Sequence, residues 1–150
     1  MPIERVLIDP AAEGRLREFA AAAYPHEGCG VLVGSLNGTA LHVVDATSAR
    51  NMVVERARDR YDLDPSDFLR AERDARSRGL DVVGIWHTHP DHPARPSVFD
   101  TERAGVDYAY LSCSSNVSGT GDLNAFTLDR DGGSFEQVPL EVARQQAGRP

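Results

Sequence analysis

Gly84-Ile85-Trp86-His87-Thr88-His89-Pro90, with Ser97 and Asp100 close behind, decides how this chain folds and what it can do. Val82 to Trp86 is apolar and partly β-branched, so the spacing predicts a buried strand that ends at Pro90. Side chains two apart on a strand share a face, which sends His87 and His89 out together from its last residues. Pro96-Ser97-Val98-Phe99-Asp100 predicts a short helix over 98–104 with Ser97 as N-cap, folding Asp100 back toward the two imidazoles. His87, His89 and Asp100 then make an open three-ligand set, which for zinc leaves the fourth tetrahedral position to water or substrate. Ser-x-x-Asp is also an ordinary capping pattern, so Ser97 can cap the helix, serve the chemistry, or do both.

The remaining chain builds a scaffold around that strand. Asp9-Pro10 starts a helix in which Leu16, Phe19, Ala20 and Ala23 recur at helical spacing until Pro25 ends it. Cys29 to Gly34 and Leu41 to Ala46 are strands joined through Asn37-Gly38, a strong hairpin signal. Residues 47–60 form loop and irregular strand, and Arg60 to Leu63 alternates like an exposed strand. Asp64-Pro65-Ser66 repeats the cap-plus-proline start of a helix that runs to about Arg78, and Gly79 closes it. Tyr108 to Cys113 is a further strand, Ser114 to Gly121 a mobile loop, and Asp122 to Leu128 with Ser134 to Leu140 a closing hairpin. The expectation is one α/β domain over 1–150, a mostly antiparallel sheet with helices in two or three layers and a disordered tail after about residue 142.

Composition narrows the function. A net charge of −7 argues against nucleic acid, whose phosphates need clustered Lys and Arg. Charged residues through the first twenty positions argue against a signal peptide, and no apolar run reaches the ~20 residues that span a bilayer, so no membrane partner is expected and a cytoplasmic location is the default. Cys29 and Cys113 fall on separate strands with no Cys-x-x-Cys, which excludes a zinc finger and favours two reduced, buried thiols. A Ser-His-Asp hydrolase lacks its Gly-x-Ser-x-Gly elbow, and an amidohydrolase barrel needs ~250 residues.

Metal-assisted hydrolysis also needs a carboxylate to take a proton from water and a donor for the oxyanion. Glu27, at the mouth of the strand that begins near Cys29, is the best placed base, although a strand-end surface carboxylate is an equal reading of its position alone. Ser97 is the candidate oxyanion donor. His26 and His92 read as solvated loop histidines, His42 as structural, and Trp86 as packing on the face opposite His87.

Glu27, His87-Thr88-His89-Pro90 and Pro96-Ser97-Val98-Phe99-Asp100 together resemble the JAMM (MPN-plus) metalloprotease motif, and Pro25 to Gly34 is similar to the start of bacterial members. The resemblance implies a curved sheet between helices like that of cytidine deaminases, although the Pro-Cys-x-x-Cys ligand segment of deaminases is absent. It implies one zinc per chain on His87, His89 and Asp100, with Glu27 activating water and Ser97 steadying the intermediate. Within the family the short chain is similar to the Mec-type (CysO-cysteine peptidase) group. That implies a peptidase or isopeptidase cutting after the Gly-Gly end of a small ubiquitin-like sulfur carrier of the ThiS, MoaD or CysO kind, releasing cysteine or a short extension. A homodimer is compatible with the sequence. The rival classes are a non-catalytic MPN scaffold and a metallohydrolase for another amide.

Overall fold

The computed structural model describes residues 3–51, 63–91, 93, 108–128 and 134–143. They run β1 (Arg5–Ile8), α1 (Pro10–Ala23), β2 (Cys29–Asn37), β3 (Ala40–Ala49), α2 (Pro65–Ser77), β4 (Asp81–Pro90), β5 (Ala109–Asn116), β6 (Gly119–Leu128), β7 (Phe135–Val138) and β8 (Leu140–Val142). The strands make one sheet in the order β7-β6-β5-β4-β2-β3-β1-β8, with four antiparallel and three parallel pairings.

The two edge strands of that order are neighbours in the chain, separated by Pro139 alone. Eight flat strands at ~4.8 Å spacing would hold them some 34 Å apart, about ten times the reach of one residue. The sheet therefore has to curl until its edges nearly meet, and it is curved and nearly closed. Helices cover its two faces, giving three layers. Ala12, Leu16 and Ala20 of α1 pack with Val6, Ile8, Leu32, Leu41, Val43 and Trp86, while Ala71 and Ala75 of α2 pack with Val31 and Val33 on the other side.

Both helices start where the Asp-Pro pairs predict. Asp64 accepts a hydrogen bond from the Ser66 amide at 2.9 Å, as an N-cap should. Asp9 holds the same position without capping, because its carboxylate is taken by His42 Nε2 at 2.6 Å. His42 is thus structural, as expected. No helix among the described residues is long and apolar enough to cross a membrane.

Two expectations need correction, and one pair of strands was not foreseen. Ser114 to Gly121 is not a loop, since β5 runs on to Asn116 and β6 begins at Gly119. Its serines and glycines serve a tight hairpin: Ser114 Oγ accepts from the Asp122 amide, Asn116 Oδ1 accepts from the Ser118 amide, and Gly119 has φ +128°. Ser134 to Leu140 is not one strand either. Pro139 has no N–H to give a ladder, and its carbonyl accepts from the Val6 amide as the chain passes from one sheet edge to the other. Leu140–Val142 forms β8 beside β1, two short strands that do not follow from the local sequence pattern. The expected helix over 98–104, the strand at Arg60 to Asp62 and the tail beyond 143 lie outside the described residues.

A bulge sets the face of the histidines. β2 and β4 pair as Cys29↔His87, Gly30↔Trp86 and Leu32↔Gly84, then slip to Val33↔Val82, leaving Val83 over. Val82 packs on the α2 side, whereas Val83 and Trp86 both pack on the α1 side. Plain alternation from Val82 would have turned His87 and His89 into the α1-side core, and the extra residue turns them to the opposite face.

Gly30 lies beneath Trp86. A Cβ there would stand 1.8 Å from the Thr47 carbonyl oxygen and 2.3 Å from Trp86 Nε1. Gly30→Ala is expected to cost about 3 kcal/mol, because overpacking of this severity must move backbone. Urea unfolding with an unchanged midpoint would contradict it.

Candidate metal centre

Two chain segments deliver the cluster. β4 brings His87 and His89, and Cys29↔His87 pairing brings the start of β2 alongside, so Glu27 arrives level with them. Glu27, His87 and His89 are 2%, 0% and 8% exposed, and one ligand atom from each lies within 4.8 Å of the others. The imidazoles meet edge to face, with their Nε2 atoms 3.0 Å apart.

The Glu27 backbone precedes the ladder and is fixed from both sides. The Gly28 amide donates to Thr88 Oγ1 at 2.8 Å, and the Thr88 amide donates to the Gly28 carbonyl at 2.9 Å. Asn51 Nδ2 donates to the Glu27 carbonyl at 3.0 Å. Across the mouth, the Tyr24 hydroxyl donates to the Asp91 carboxylate at 3.0 Å, joining the chain just before Glu27 to the chain just after His89.

The donor set suits a divalent cation. Two imidazole nitrogens each about 2.0–2.1 Å from a tetrahedral zinc stand about 3.3 Å apart, close to the separation seen. A buried carboxylate beside them is costly to desolvate, and a cation offsets that cost.

Sequence reasoning placed Glu27, His87 and His89 together, and the structure brings all three into one cluster. Ser97 and Asp100 lie outside the described residues. Trp86 faces away as expected, stacked on Phe19 with ring centroids 6.3 Å apart. His26 is exposed, and His92 lies outside the described residues.

Two residues of the site escaped the sequence reading. Ser112, fully buried on β5, is the register partner of His87 and brings its Oγ to 3.3 Å from His87 Nε2. The signal was available, as Tyr108 to Cys113 reads as a strand, but its partner strand does not follow from local pattern. Asn51 lies in a stretch with no periodicity at all.

Cys29 and Cys113 are buried thiols on opposite faces, Cys29 in register with His87 and Cys113 in the α1-side core. Burial pushes the Cys113 thiol up to about 11, with Arg17 opposing the shift. Cys113 therefore stays a protonated core residue at neutral pH.

Residues 9–129 match the family described as prokaryotic homologs of the JAB domain. The chain is similar to a protein named desampylase from Haloferax volcanii, 39% identical over 102 residues that cover 65% of this chain and 69% of the relative. It is also similar to a desampylase from Pyrococcus furiosus, 37% identical over 76 residues, a match that spans 51% of this chain and only half of that relative's length. Among solved structures, a protein from Salinibacter ruber superposes with a TM-score of 0.71 at 34% identity, covering 95% of this chain and 94% of that one. A protein from Desulfitobacterium hafniense shares the fold with a TM-score of 0.81 at 24% identity, covering 95% of each chain.

Proposed function

The chain belongs to the family of prokaryotic homologs of the JAB domain, and from that membership we propose that it is a zinc-dependent peptidase or isopeptidase acting after the Gly-Gly end of a small ubiquitin-like protein. The observation that carries this reading is the buried convergence of Glu27, His87 and His89. The two relatives named desampylase support the substrate class, a ubiquitin-like protein joined through its C-terminal carbonyl to an amine. That amine belongs to a cysteine or short extension on a sulfur carrier of the ThiS, MoaD or CysO kind, or to a lysine in a conjugate. The chemistry is one hydrolysis in each case.

In this reading His87, His89 and Asp100 hold the ion, leaving Glu27 for proton transfer. Zinc held there supplies a Lewis acid that acidifies water and polarises the scissile carbonyl. Glu27 takes the proton of the attacking water and returns it to the departing amine as the C–N bond breaks, leaving a carboxylate and a free amine. Ser97 donates its hydroxyl to the oxyanion. Burial of Glu27 keeps bulk water from competing for that proton.

The tail enters extended, by strand addition, and glycines suit the cut because a crowded cleft has no room for side chains. Most affinity comes from the carrier body. The test compares a carrier extended beyond Gly-Gly, the same tail as a free peptide, and the carrier with Gly→Val just before the cut. The first is expected to be cleaved well and the other two poorly. Equal cleavage of all three would mean a general peptidase. No cleavage of any carrier by zinc-loaded protein would move the substrate to another amide.

A further inference from the structure

We propose that Asn51 is the positioning residue for Glu27, an assignment that rests on Glu27 being the base. Glu27 lies just before β2 begins, so its carbonyl group stands outside the register of β2 with β3 and β4, which starts at Cys29. That carbonyl instead accepts from Asn51 Nδ2 at 3.0 Å, a side chain reaching across 24 residues of sequence. On the far side Gly28 is clamped to Thr88, between the two histidines. The Glu27 peptide is thus held between the strand that carries the imidazoles and Asn51.

Asn51 is itself anchored. It bridges Leu63 in antiparallel fashion, the Asp64 amide donates to the Arg50 carbonyl at 2.9 Å, and the Arg50 amide donates to Asp67 Oδ2 at 2.8 Å. Those partners form the start of α2, whose N-cap is Asp64. Asn51 therefore refers the base to the rigid helix on the same face of the sheet. A carboxylate that must meet a reacting proton within a few tenths of an ångström loses rate when its backbone is freed, even if it stays in the site.

The experiment uses Asn51→Ala and Asn51→Asp, each alone and with Glu27→Gln, on the extended carrier. Asn51→Asp keeps the size and removes the donor, so it preserves the test if the alanine variant folds poorly. Both are expected to lower kcat about 10–100-fold, as residues supporting a site commonly do. KM, zinc content and zinc affinity against a competing chelator should stay near wild type. In the Glu27→Gln background neither should lower the residual rate further, because the group that Asn51 positions is already gone.

Unchanged kcat in both variants overturns the assignment while leaving Glu27 as the base. An equal fold-loss in both backgrounds, or a loss of zinc affinity, also overturns it, since Asn51 would then act on the general fold or on the metal ligands. If Glu27→Gln alone fails to lower the rate, the functional reading falls first and this assignment with it.

Discussion

Glu27→Gln is expected to abolish most hydrolysis, about 10²–10⁴ in rate, while the protein keeps its fold and its zinc. The amide has nearly the size and shape of the carboxylate, so the buried space at 2% exposure is filled as before. It cannot accept a proton from water at neutral pH. The metal content decides between two roles that the cluster of Glu27, His87 and His89 allows. If Glu27 is the base and Asp100 the third ligand, zinc stays at one per chain. If Glu27 itself is a ligand, zinc binding falls together with the rate. Near-normal turnover with zinc bound would remove Glu27 from the mechanism. Turnover and elemental analysis of the same sample read both outcomes.

The largest expected effect on stability is Trp86→Ala, about 3–5 kcal/mol. Trp86 is 1% exposed, stacks on Phe19 of α1, and donates Nε1–H to the Thr47 carbonyl at 2.8 Å. Truncation opens a cavity between α1 and the sheet and takes the indole donor from a strand carbonyl, so the two costs add. Its side chain points away from His87, so protein that remains folded should bind zinc as wild type does. Urea unfolding gives the first quantity and zinc content below the transition gives the second. A loss under about 1 kcal/mol would show that α1 is held elsewhere, and a selective loss of zinc would show that the two faces of β4 are coupled.

Much of the scaffold was legible because it is written in short-range chemistry. The Asp-Pro pairs at 9–10 and 64–65 fix φ and supply a cap residue, and both helices start there. Asn37-Gly38 gives the β2–β3 hairpin, with Gly38 at φ +65°. The apolar run ending in His87-Thr88-His89 gives β4. Less legible was the edge where β1 and β8 are four and three residues long, strands that form because β3 already offers β1 a partner and β1 offers one to β8. The Ser/Gly composition of 114–121 suggested a loop, yet those side chains satisfy backbone groups within a hairpin. The Val83 bulge depends on register between two strands and leaves no mark in the local pattern.

The site divides in the same way. His87 and His89 share one strand and are paired by its period of two, so they could be read directly. Glu27 could be read as a carboxylate before a strand, but its neighbourhood with His87 is a tertiary fact, set by the Cys29↔His87 register. Ser112 and Asn51 reach the site from β5 and from the end of β3, at separations where periodicity carries no information.

Zinc stoichiometry, read against chelation and restoration of hydrolysis, tests the central claim most directly. Purified protein reconstituted with zinc should hold about one ion per chain. Chelation should stop cleavage of the extended carrier without removing the thermal unfolding transition, because the histidines sit on a preformed strand, and one equivalent of zinc should restore cleavage. Protein that binds no metal after reconstitution, or that cleaves the carrier equally well without it, would contradict a metal-dependent hydrolase at Glu27, His87 and His89.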